Sequence, residues 1–467
     1  MLEKLIEKLG QEIFMIAQIT RRYPEMLNMA KAQSSFPKME KMVVACIANA
    51  DTVEEAKFAY EHCYALVPDW KFVFASAKGA SPGLSVHREF SDGYVVRGLF
   101  ATERIFVLDP QVLNEMNTMG SSTFATDYSI SLDTQMTSYL APYLEGNLTK
   151  LPKDIHEIFS FIARDDVFVD ALPYMLENLP NIQNKENVEA IKKKLIGYER
   201  LRTLDCKYFK ETGKVRSQLD DVAFLDSVNG HLERMLRNST QIELMTGLTQ
   251  RIHIMYCLLL KMAIIQLANP KRSLKSKLVE FMEFQDKELH TICARETIVA
   301  KEYFTRGQDL KFFGAIQKTT AEKLPDKLGK LKGMAWDFWH IRSVEAMVTI
   351  DEKLPQEDRT HARYFFPSFL TCDKKLIEIV DIYPLKSYAY KTDSSELFPF
   401  AALDWVKEVA QGDDDNFVSK YLHPSEVERR YEMTESAKAS LPGIVVKLEA
   451  EFLRVANTGA AVCPADV

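Results

Sequence analysis

The run "IHIMYCLLLKMAIIQLANP", residues 252–270, constrains the fold more than any other stretch. Its apolar part, residues 255–268, is broken by Lys261 and is shorter than the roughly 20 apolar residues a bilayer-spanning helix needs. It therefore reads as a helix buried inside protein, and the segments around it must supply the cover. A chain of 467 residues has length enough for two to four domains, or for one domain with a substantial insertion.

The pattern along the chain changes several times. Residues 1–75 are mostly helical; "MLEKLIEKLGQEIFMIAQI" is amphipathic rather than a leader, and Thr52 with Glu55 makes a capping box. Short β-rich pieces follow in "KFVFAS", "GYVVRGLFA" and "RIFVLD", and a long helical stretch fills roughly 150–330. The expected organisation is an accessory region at 1–99, two parts of one α/β domain at 100–149 and 280–390, a helical insertion or cap at 150–279, and a C-terminal accessory region at 391–467. The fold class is α/β. The cap should lie over the sheet and bury the helix at 255–268.

Charge excludes one class of partner and leaves another open. The net charge of -7 gives no global attraction for nucleic acid, so any such attraction must be local, as in "NPKRSLKSK" or beside Lys374 and Lys375. Seven scattered cysteines without a CxxC or a zinc spacing point to reduced thiols and a cytoplasmic location.

Within "GMAWDFWHIRSVEAM", Asp337 shares one helical face with Ile341, Val344 and Val348. A carboxylate on a core-facing stripe is costly unless it is near the rim, hydrogen-bonded or bound to a cation. Three other stretches offer partners. In "YSISLDTQMTSYL" an alternating strand ends at Asp133 and passes into a helix, and "FLTCDKKLIEI" repeats that grammar with Thr371 and Asp373. Asp133 is also a candidate helix cap. "HTICARETIVAKEYF" adds Glu296 on an apolar stripe, and "RIFVLDPQVL" holds a rival first acid, Asp109.

These segments together resemble the PIN-like nuclease family. The resemblance implies a three-layer α/β/α sheet domain carrying a large helical insertion, with Asp133, Glu296, Asp337 and Asp373 as metal ligands and Thr371 beside them. It covers residues 100–145 and 280–390; Gln135 stands where a "DTN" pattern often has asparagine. The implied activity is metal-dependent cleavage of RNA, or of DNA, by a cytoplasmic endonuclease. Lys374, Lys375 and Arg342 would contact the substrate.

Electrostatics leads toward the same chemistry. Two carboxylates about 4 Å apart repel by roughly 4 kcal/mol at an effective dielectric near 20, so a cluster needs protons or a metal. Oxygen ligands suit Mg2+ or Mn2+, which would activate water against a phosphate. A metal-dependent phosphomonoesterase or nucleotidase and a catalytically inactive interaction protein are the alternatives. A homodimer or a regulatory protein is a further expected partner, and a membrane is not.

Overall fold

The computed structural model describes residues 1–80, 87–100, 102, 104–164, 166–349 and 362–458. The chain forms a mixed α/β fold with two sheets and a large helical region. Nine strands are present among the described residues: β1 Trp70–Ala80, β2 His87–Glu89, β3 Val95–Gly98, β4 Ile105–Leu108, β5 Thr126–Leu132, β6 Val169–Asp170, β7 Tyr364–Thr371, β8 Leu385–Lys391 and β9 Leu397–Ala401.

One sheet is antiparallel throughout, in the order β4-β1-β8-β9. Its face carries Trp70, Phe72 and Ala389, which close a core with the N-terminal helices through Val43, Val44, Ile47 and Tyr60. At the entry to one of those helices, Thr52 Oγ1 accepts the Glu55 N–H at 3.1 Å, which satisfies a donor the first turn would otherwise leave unpaired.

The second sheet runs β2-β3-β7-β5-β6, with β5 parallel to both β6 and β7. The β5–β7 register pairs Leu132 with Leu370, and the Asp133 N–H continues the ladder to the Leu370 carbonyl at 3.1 Å. Parallel pairing brings the carboxyl ends of these strands to one edge, where open α/β sheets bind their ligands. Both sheets draw strands from residues 70–132 and 364–401, so distant parts of the sequence are interleaved.

The helix Ile242–Ala268 is apolar and long enough to cross a membrane by length and composition alone. In the fold it is a core element. Met255 to Leu260 and Met262 to Leu267 are buried, and Lys261 turns aside to Glu280 at 2.8 Å. The helices Leu324–Met347 and Thr434–Ala456 pack along it.

Candidate functional site

Asp133 and Asp373 stand just past the ends of β5 and β7, and each caps the helix that follows. Asp133 begins the helix Thr134–Leu144: one carboxylate oxygen accepts the Met136 N–H, and the other accepts the Thr371 hydroxyl at 2.7 Å and the Cys372 N–H at 3.2 Å. Asp373 begins the helix Lys374–Asp381 and accepts the Lys375 N–H at 2.8 Å. Thr371 is therefore a bracket between the two strand ends, since its oxygen also accepts the Asp373 N–H at 3.1 Å.

Asp337 reaches this edge from the helix Leu324–Met347. Ile341, Val344 and Val348 on its face are buried, while Asp337 is half-buried. Its carboxyl is pushed well above the usual range, first by loss of water and then by the charges of Asp373, Glu177 and Asp133. No hydrogen bond supports its ionised form among the described residues.

Glu177, the fourth acid, was not found in the sequence. It lies on the helix Leu172–Asn178, which follows β6, the other parallel neighbour of β5. The two-residue β6 strand was its only available signal, and such a strand is hidden inside a helical stretch. Burial pushes the Glu177 carboxyl up, but His340, the Thr134 hydroxyl and a more distant Lys194 outweigh it and hold the carboxyl below its ordinary value. His340 Nε2 lies 4.0 Å from Glu177 Oε2; the ring is 2% exposed, stacks on Phe369, and among the described residues finds a hydrogen-bond partner for neither nitrogen.

Asp133 is itself shifted: burial raises its carboxyl to about 6, although the Met136 amide, Thr371 and the Cys372 amide favour the charged form. Burial and the neighbouring carboxylates push Asp337 up while His340 and the Thr134 hydroxyl hold Glu177 down, so the surroundings drive the two carboxyls in opposite directions.

Several sequence expectations are corrected here. Glu296 is fully buried and gives both oxygens to Arg342, at 2.9 and 2.5 Å. Arg342 also donates to Glu345 at 3.1 Å, and Arg295 completes the chain by donating to Glu345. Glu296 and Arg342 are thus a structural ion pair, rather than a metal ligand and a substrate contact. Asp109 caps the helix Pro110–Met119 and accepts the Tyr364 hydroxyl at 2.6 Å. Tyr364 opens β7, so Asp109 lies at the far end of that strand from Thr371, about 23 Å away at the usual rise. Lys374 is exposed; it sits 3.5 Å from Asp92 and over the Tyr94 ring. Lys375 is exposed as well.

The metal-dependent hydrolase reading does not survive this geometry. Among the described residues, no group of three or more His, Cys, Asp or Glu side chains is placed to hold a metal ion. The physical reason is visible in the hydrogen bonds: Asp133 has both oxygens committed, Asp373 caps a helix, and Glu296 belongs to Arg342. The RNA endonuclease, its phosphomonoesterase alternative, and Mg2+ or Mn2+ as cofactor are accordingly withdrawn. No family model matches the chain, and neither a curated protein nor a solved structure matches it.

Proposed function

We propose that the edge formed by Asp133, Asp337, Asp373 and Glu177 binds a small organic cation, an amine or a guanidinium, in exchange for the proton on Asp337. The observation that carries this is the state of Asp337: burial and then three neighbouring carboxylates raise it, and among the described residues no cation is paired with it. Coulomb repulsion among such groups is relieved either by a proton or by a positive ligand. An ammonium or guanidinium needs hydrogen-bond acceptors rather than a full ligand sphere, and a single free carboxyl beside ionised neighbours supplies them. A phosphate polymer is the wrong partner, because the cleft would repel it.

For the fold, we keep the PIN-like three-layer arrangement as a proposal. The parallel β5–β7 pair, with a helix leaving each strand end, supports it. We also place the protein in the cytoplasm, in keeping with free thiols at the six described cysteines.

The test is calorimetry with agmatine and spermidine at about pH 7, in two buffers of different ionisation heat, on wild type and Asp337→Asn. Binding with release of a proton, weakened about ten-fold or more in the variant, is expected, since a charge-assisted hydrogen bond contributes ~1.5–3 kcal/mol. Absence of binding, or binding without proton release, overturns the proposal. Displacement of the amine by Mn2+ would do the same and return the site to metal chemistry.

A further inference from the structure

A second site lies one turn farther along the Asp337 helix, on the other side of Phe369. There a half-open pocket of about 250 Å³ lies between β3, the helices Ala294–Arg306, Leu324–Met347 and Lys374–Asp381, and the turn at Tyr383. Leu99, Phe100, Ile341, Val344 and Phe369 give it apolar walls. Its polar lining comes from His87, Arg97, Arg295, Glu345 and Asp381.

The acids paired with these arginines are not equally buried. Arg97 makes a two-pronged pair with Asp381, at 2.9 and 3.2 Å, but the arginine side chain is 9% exposed and the aspartate 48%. Much of the aspartate charge is therefore screened by water, while the guanidinium charge is not. Arg295 and Arg342 face the two buried acids, Glu345 and Glu296. By count the charges balance: Arg97, Arg295 and Arg342 meet Asp381, Glu345 and Glu296.

The hydrogen bonds, by contrast, leave donors over. Arg97 Nη1 and Arg295 Nε are buried and make no hydrogen bond among the described residues. Each belongs to a side chain that lines the cavity. A guanidinium N–H without an acceptor is costly in a dry place, and it is satisfied best by an anionic oxygen. Both nitrogens lie beneath the cavity surface, so a small turn of each guanidinium is needed to present them.

We infer that this cavity binds a monocarboxylate with an apolar body, its carboxylate on Arg97 and Arg295 and its body against Val344, Ile341 and Phe369. Size sets the scale of the ligand. A dry cavity of ~150 Å³ takes a benzene ring, so this one takes about ten non-hydrogen atoms by proportion, as in a medium-chain or aromatic acid. The inference does not depend on the cation cleft, because it uses different side chains and a ligand of opposite charge.

Octanoate and benzoate are the probes, with octanamide and benzamide as uncharged partners of the same shape, tested by thermal shift and calorimetry on the full chain. The acids should raise the melting temperature and bind about ten-fold or more tightly than the amides, in line with the ~1.5–3 kcal/mol of a charge-assisted hydrogen bond. Val344→Phe, which fills the cavity without touching a charged group, should abolish binding in a protein that still melts cooperatively. Arg97→Lys should weaken the acids and leave the amides unchanged. Equal affinity for acid and amide overturns the carboxylate assignment. Lack of any binding by wild type, or undiminished binding by a folded Val344→Phe variant, overturns the site.

Discussion

Two acids eight residues apart on one helix, Asp337 and Glu345, meet opposite fates. Around Asp337, carboxylates from three other elements gather, no cation among the described residues is paired to Asp337 itself, and its carboxyl is pushed well above the ordinary range by burial and then by those charges. Around Arg342 and Glu345 each acid has an arginine: Glu296 takes Arg342, and Glu345 takes both Arg342 and Arg295. At that second place burial pushes Glu345 up, but its two arginines outweigh burial and hold it below its ordinary value. The difference separates structure from function. A matched network ties helices together, whereas an unmatched one is held ready for a ligand.

Breaking the matched network should have the largest effect. Arg342→Met leaves Glu296 and Glu345 short of a cation in the interior, so unfolding in urea should show a loss of about 3–5 kcal/mol. A loss below ~1 kcal/mol would mean that the network is not holding the helices together.

The pH dependence comes next, and its sign is fixed by Asp133. Its folded-state value, raised to about 6 by burial, exceeds the unfolded one, so the native state holds the extra proton. Its contribution is complete below about pH 4 and is lost as the pH rises through about 6, a change on the order of 3 kcal/mol. Asp133→Asn should flatten this part of the stability profile, measured by urea unfolding between about pH 4 and 7. A wild-type profile that rises across the same window would contradict the shift.

A substitution at the unmatched end should act in the opposite direction from Arg342→Met. Wild type must take up a proton at Asp337 that the unfolded chain does not hold, and asparagine escapes that cost. Asp337→Asn should therefore stabilise the protein by about 1 kcal/mol or more at neutral pH, with the gain vanishing near pH 4. Destabilisation at neutral pH would show that the carboxylate is satisfied after all. The smallest effect is expected at Lys374, which is 53% exposed and pairs only at the surface with Asp92. Lys374→Ala should change stability by about 0.5 kcal/mol or less by the same measurement, and a larger loss would place this lysine in the site.

The parts legible in the sequence were those set by local rules. An apolar strand ending in an acid and then a helix gave Asp133 and Asp373 their places, because strand, cap and helix are neighbours in the chain. The Thr52 cap and the buried helix near Met255 were legible for the same reason. What stayed hidden depends on long-range choices. Arg342 lies 46 residues from the Glu296 it neutralises, and periodicity cannot say which of two acids an arginine will find. Glu177 follows a strand of two residues, too short to register as an alternation. The metal expectation failed because a strand-end aspartate that caps a helix and binds a hydroxyl already gives three of its roughly four acceptor sites to protein donors.

The proton on Asp337 can be observed directly. In protein labelled with 13C at the aspartate carboxyl carbons, the Asp337 resonance is identified by its loss in Asp337→Asn, and its shift is followed with pH. A carboxyl still protonated at about pH 7, which ionises only when agmatine is added, is the expected result. Titration at about pH 4, the ordinary aspartate value, with no response to agmatine, would contradict it.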